Sequence, residues 1–91
     1  MIESEQVTEI ADWLSQQPLN QDTIQTLRQR YPQMHFSYCM DDDVGAVEPI
    51  HQHSAFNLYL LDSSQHCLTF TQNLSAASGL LVAEVIDEDE V

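Results

Sequence analysis

The residues with the widest chemical range in this chain are two cysteines, Cys39 and Cys67, and four histidines, His35, His51, His53 and His66. A thiolate serves as nucleophile or soft metal ligand, and an imidazole as base or ligand. His66 and Cys67 are neighbours, but adjacent residues on a strand point to opposite faces, so adjacency alone makes no catalytic dyad. His35 and Cys39 share a strand face, yet four residues of strand separate them by about 13 Å. A dyad therefore needs cross-strand pairing, such as His35 with Cys67, and no cysteine-hydrolase signature accompanies these residues. A metal site is the other use. In His51-Gln52-His53 two imidazoles lie on one side of an extended segment, about 7 Å apart at Cα, a separation that can straddle one ion. The candidate ligands are then Cys39, Cys67, His35, His51 and His53, with His66 a further option. Neither cysteine has a partner at C-x-x-C spacing, so the set matches no recognised zinc pattern.

Three adjacent carboxylates, Asp41, Asp42 and Asp43, offer oxygen ligands of the kind Mg²⁺ and Ca²⁺ prefer. The glycine and distal glutamate of an EF-hand loop are missing, and a solvated acidic turn that blunts a strand edge is the expected role. Other chemistries drop out. With Gly45 and Gly79 the only glycines there is no phosphate-cradling loop, and without lysine there is no Schiff base. Arg28 and Arg30 sit about 160° apart on a helical wheel and do not form an anion clamp.

The elements that must position these groups follow from hydrophobic period. Val7, Ile10, Ala11 and Leu14 recur at helical spacing from Ser4 to about Gln16, with Ser4 placed to cap and Pro18 to stop the helix. Asn20 caps a second helix whose stripe is Ile24, Leu27 and Tyr31, and Pro32 ends it. From Met34 the period becomes two. Met34, Phe36, Tyr38 and Met40 alternate with His35, Ser37 and Cys39, and Phe56, Leu58 and Leu60 alternate with Asn57, Tyr59 and Leu61. A turn at Asp62–Gln65 and a strand from His66 to Thr71 complete a hairpin. Leu80–Ile86 forms the last strand, and Val44–Ile50 a short edge strand limited by Pro49.

The expected fold is α+β: an N-terminal helical hairpin packed on one face of a mostly antiparallel sheet of three to five strands, arranged as a meander. Residues 1–86 form one domain, and 87–91 an acidic tail. If Phe36, Tyr38, Leu58, Leu60, Leu68 and Phe70 face the helices, then His35, Ser37, Cys39, Cys67, Asn57, Tyr59, Thr69 and Thr71 gather on the uncovered face.

Fifteen Asp and Glu against two Arg give a net charge of −13 in 91 residues. That field repels nucleic acid and anionic lipid, which need Lys and Arg to displace counterions, so neither is an expected partner. At 43% hydrophobic the chain still supports a core. No apolar run is long enough to span a bilayer. Glu3, Glu5 and Glu9 near the start do not fit a signal peptide, so a cytoplasmic location with reduced thiols is expected. The domain should melt at higher temperature as NaCl is added, because screening relieves carboxylate repulsion; a flat or falling melting curve series contradicts this.

The strings His35-Phe36-Ser37-Tyr38-Cys39-Met40-Asp41-Asp42-Asp43-Val44, Phe56-Asn57-Leu58-Tyr59-Leu60-Leu61-Asp62, His66-Cys67-Leu68 and Ala77-Ser78-Gly79-Leu80 resemble a family of small, functionally uncharacterised bacterial proteins, some associated with nitrogen-fixation gene clusters. The resemblance covers Val7 to Ile86, departs mildly at Ser78-Gly79 where the family has a Thr-Gly-like pair, and transfers no functional residue. The expected function is a non-enzymatic accessory or protein-interaction domain; the alternative is a small metal-binding or thiol-redox-linked protein using the cysteines and histidines.

Overall fold

The computed structural model describes residues 2–45, 47–62 and 69–85. Ser63–Gln65 of the expected hairpin turn, His66, Cys67 and Leu68 of the expected strand, the acidic tail and Ile86 lie outside them. Helices α1 (Ser4–Leu14) and α2 (Gln21–Arg30) precede strands β1 (His35–Met40), β2 (His51–Gln52), β3 (Phe56–Asp62), β4 (Thr69–Thr71) and β5 (Gly79–Glu84), with a 3₁₀ turn, Asp41–Asp43, directly after β1.

Each helix forms for the reasons its sequence suggests. In α1, Val7, Ile10, Ala11 and Leu14 are buried along one stripe. Its cap is one residue earlier than expected: Glu3 takes the N-cap position, and its N–H donates to Gln6 Oε1 at 3.0 Å. In α2, Asn20 Oδ1 accepts from the Thr23 N–H at 2.9 Å, as the sequence suggests. Thr23, Ile24 and Leu27 are its buried residues.

The five strands form one mixed sheet in the order β1-β5-β3-β2, with β4 also on β3. β3 pairs antiparallel with β2, β4 and β5, and β1 pairs parallel with β5. A simple meander does not describe it: the first strand returns beside the last, and that pairing spans more than forty residues of sequence (His35 opposite Gly79). β2 and β4 share the outer edge of β3, one opposite Asn57–Leu58 and the other opposite Leu60–Asp62. The short strand expected over Val44–Ile50 forms instead at His51–Gln52, just past Pro49, whose missing N–H suits a position ahead of the ladder.

Two cores lie on either side of the sheet. The larger joins Val7, Ile10, Leu14, Ile24 and Leu27 of the helices to Phe36, Phe56, Leu58, Leu60, Leu80 and Val82, so the even-numbered positions of β1, β3 and β5 face the helices as the period indicates. Ile2 joins it too, held by its N–H to the Leu74 carbonyl at 3.0 Å. The opposite face is not bare: Tyr59, Leu61, Leu81 and Ala83 are buried there, with Cys39, Val44 and Val47 packed against them. The segment after β1 folds back across this face.

β4 corrects one expectation. Leu61 pairs with Phe70, so even positions of β4 stand with odd positions of β3. Phe70 therefore does not face the helices. It lies edge-on to Tyr59 at 5.7 Å between ring centroids and is 41% exposed. A one-residue shift in pairing register inverts which side chains face in, and alternation alone does not reveal it.

Candidate functional site

Three rows of paired residues cross the sheet on the face away from the helices. Cys39 stands opposite Ala83, and Ala83 opposite Asn57; Ser37, Leu81 and Tyr59 form the next row, and His35, Gly79 and Leu61 the third. β1 ends at Met40, and the 3₁₀ turn at Asp41–Asp43 brings one carboxylate over these rows. Asp41 Oδ1 accepts from Asn57 Nδ2 at 2.9 Å and from the Tyr59 hydroxyl at 2.8 Å. Val44 closes the turn by donating to the Asp41 carbonyl at 3.1 Å, and Gly45 follows at φ +85°, a conformation that favours glycine. Asp41 is thus a clasp between the loop and β3, while Asp42 and Asp43 remain exposed.

The electrostatics make the thiol here a poor nucleophile. Burial, then the charges of Asp43 and Asp41, push the Cys39 thiol above its ordinary pKa. Burial and the hydrogen bond to Asp41 likewise push the Tyr59 hydroxyl up. A thiol that stays protonated beside carboxylates suits packing more than attack. With Cys67 replaced by serine to isolate it, Cys39 should alkylate several-fold more slowly near neutral pH than a free thiol; labelling at the free-thiol rate contradicts the placement.

The other sequence candidates are dispersed. His35 is exposed at the start of β1, two rows from Cys39. His51 sits in β2 opposite Leu58. His53 stacks on Phe56 at 4.5 Å between ring centroids, and its Nδ1 accepts from the Ala55 N–H at 3.1 Å. Cys67 lies outside the described residues. Among the described residues no three His, Cys, Asp or Glu side chains gather as a metal-ligand group.

Elsewhere the polar groups are engaged locally. Arg28 donates to Gln25 Oε1 at 3.2 Å and to the Phe36 carbonyl at 3.0 Å. Arg30 lies over the Trp13 ring, 5.4 Å from its centroid. Tyr31 donates to Glu9 at 3.1 Å beside a cleft of about 270 Å³ lined by Gln6, Arg30, Pro32 and Met34, below the usual size of a ligand pocket.

On the helix-facing side, Tyr38 donates to Glu84 Oε1 at 2.5 Å. That hydrogen bond, followed by burial and the Glu84 charge, pushes the hydroxyl up to about 12. A raised phenol favours the protonated form, so its contribution to stability is complete below pH 10.0, the ordinary value, and is lost as pH rises toward about 12. Phenolate absorbance should therefore show one tyrosine titrating near 12, and Glu84→Gln should bring it down. Titration of all three tyrosines near 10.0 contradicts the hydrogen bond.

Sequence reasoning places Asn57, Tyr59 and Cys39 on one face but misses Asp41 as their partner. Nothing in a run of three aspartates distinguishes the first, and only the cross-strand rows do. A model of a family of unknown function (DUF6129) matches residues 15–85 of the chain. Searches of curated proteins and of solved structures return no match.

Proposed function

The chain belongs to the family of unknown function DUF6129, and from that premise we propose that it is a small non-enzymatic accessory domain that binds a cationic segment of another protein through its acidic surface. One observation carries this reading. Both arginines of a chain with fifteen carboxylates are occupied by a carbonyl, an amide and an indole ring, while Glu3, Glu5, Glu9, Asp12, Asp22, Asp42, Asp43 and Glu48 stand exposed. Glu5, Glu9 and Asp12 fall at i, i+4 and i+7 and so line one outer stripe of α1. Such a field steers and orients basic partners and repels nucleic acid and anionic lipid.

The Asp41 clasp supports the same reading from the other side. Its carboxylate, amide and hydroxyl are spent on one another, and the adjacent thiol is held protonated, which favours a rigid scaffold over a reaction centre. A cytoplasmic location fits a domain in which no described helix is long and apolar enough to cross a membrane. The resemblance to bacterial proteins associated with nitrogen-fixation gene clusters suits an accessory role in such a setting.

The test is native purification at two ionic strengths. A discrete basic partner should co-purify at about 0.05 M NaCl and dissociate by about 0.5 M, where the screening length is only a few ångströms. Retention of the partner at high salt, or a chain that elutes alone at low salt from cells that express it, contradicts the proposal.

A further inference from the structure

Among the described residues, the pairing of β1 leaves one of its edges open. His35 donates its N–H to the Ser78 carbonyl at 3.0 Å, so His35, Ser37 and Cys39 direct their backbone groups toward β5. The backbone groups of Phe36, Tyr38 and Met40 consequently point the other way, out of the sheet. Of these, the Phe36 carbonyl is capped by Arg28 at 3.0 Å. Among the described residues no hydrogen bond engages the N–H of Tyr38 or Met40, or the Tyr38 carbonyl. Unpaired backbone groups of this kind are normally left only where water reaches them.

The two sides of the sheet differ in how they are protected. The outer side of β3 is covered by β2 and β4, strands of two and three residues, with Pro49 close ahead of β2. β1 runs six residues, His-Phe-Ser-Tyr-Cys-Met, with no Lys, Glu, Asp or Pro of its own, and the Arg28 contact covers only its Phe36 end. We infer that the free edge of β1 accepts an extended cationic segment of a partner protein as an additional strand. This deepens the proposed function and rests on it, naming where and how the acidic domain engages its partner.

Charge selects the occupant. β1 leads directly into Asp41–Asp43, with Asp42 and Asp43 exposed. A strand added along β1 would pass these carboxylates at the Met40 end, where Lys or Arg side chains complement them. A second copy of the chain, itself at −13, would bring repulsion along most of its surface. In the added strand, main-chain hydrogen bonds give affinity and alternate side chains give selectivity.

The test uses a peptide of about ten residues alternating Lys and Val, long enough to span β1, and the same peptide N-methylated at alternate residues to remove its ladder donors. The unmethylated peptide should slow hydrogen exchange at the Tyr38 and Met40 amides by about tenfold or more, and methylation should weaken binding by a similar factor. Met40→Pro supplies the reciprocal variant. Met40 sits at φ −83° and ψ 144°, close to what proline adopts, so the change removes the outward N–H while suiting the local backbone. Met40→Pro should weaken the peptide about tenfold and Met40→Leu should leave it unchanged. Equal binding of both peptides without amide protection overturns strand addition while leaving the acidic-surface reading in place. Failure of both to bind overturns both. Amides already protected in the peptide-free protein, with a doubled mass in solution, assign the edge to a second copy and overturn the proposal.

Discussion

Replacing Gly79 by alanine is expected to lower the melting temperature by about 10–20 °C. Gly79 lies opposite His35 at the start of the parallel β1–β5 ladder. A Cβ built there overlaps the His35 carbonyl oxygen, and would stand 2.7 Å from the His35 Cβ and 3.0 Å from its carbonyl carbon. Those atoms are backbone or fixed to it, so no side-chain rotation relieves the contact, and the strands must separate. Forced overpacking of this kind costs about 1–3 kcal/mol, and the upper half of that range applies where backbone must move. Ser78 N–H donates to the Leu61 carbonyl at 2.8 Å beside it, so displacement of Gly79 also strains the β3–β5 pairing. Thermal melts of Gly79→Ala beside the parent check this directly. A loss of only a degree or two means that β1 and β5 approach less closely than described.

The second large effect is expected at the clasp. Asp41→Ala removes the acceptor of two donors, leaving Asn57 Nδ2 and the hydroxyl of Tyr59, a residue only 3% exposed, without their partner. Hydrogen bonds to a charged acceptor contribute about 1.5–3 kcal/mol, and because both donors share one oxygen a total of about 2–3 kcal/mol is expected. Tyr59→Phe alone should cost about 1 kcal/mol, since the ring still packs on Phe70. Combining the two should cost less than their sum, with a coupling of about 1 kcal/mol by double-mutant cycle. Strict additivity shows that Asp41 does not hold Tyr59. Asp42→Ala is the matched control, since Asp42 is exposed, and should change stability by less than about 0.5 kcal/mol.

These two positions also mark where sequence reasoning stops. Local features were readable. The 3.6-residue stripe of Val7, Ile10, Ala11 and Leu14, the Asn20 cap, and the alternation that sends Phe36, Leu58 and Leu60 toward the helices all follow from neighbours within a turn or a strand. Features that depend on distant partners were not. The parallel return of β1 to β5 is set by packing between segments more than forty residues apart, and neither segment's pattern records its neighbour's direction. Alternation fixes relative, and not absolute, orientation within each strand, so it does not place Phe70 on the face it occupies. Ile2 is buried although it precedes the first helix: its side chain packs into the helix-side core while its N–H reaches the Leu74 carbonyl.

The candidate site divides in the same way. Period two places Cys39, Asn57 and Tyr59 together, but it does not show that their face is covered or that one of the aspartates covers it. In the fold Asp41 covers that face and completes the polar cluster, so the residue with the most specific contacts came from a run whose composition gave no sign of it. His35, His51 and His53 have separate surroundings, on β1, β2 and against Phe56, respectively.

The central claim, that this acidic domain engages a basic partner protein, can be tested through a peculiarity of composition. The chain has fifteen carboxylates and no lysine, so carbodiimide coupling, which joins carboxylates to amines, has no lysine within the chain or in a second copy to react with. Coupling in extracts of the source cells, followed by peptide mapping, should recover one recurrent partner segment whose lysines are linked to Asp42 or Asp43. Links scattered over many proteins and many carboxylates, or no intermolecular product at all, would contradict the account.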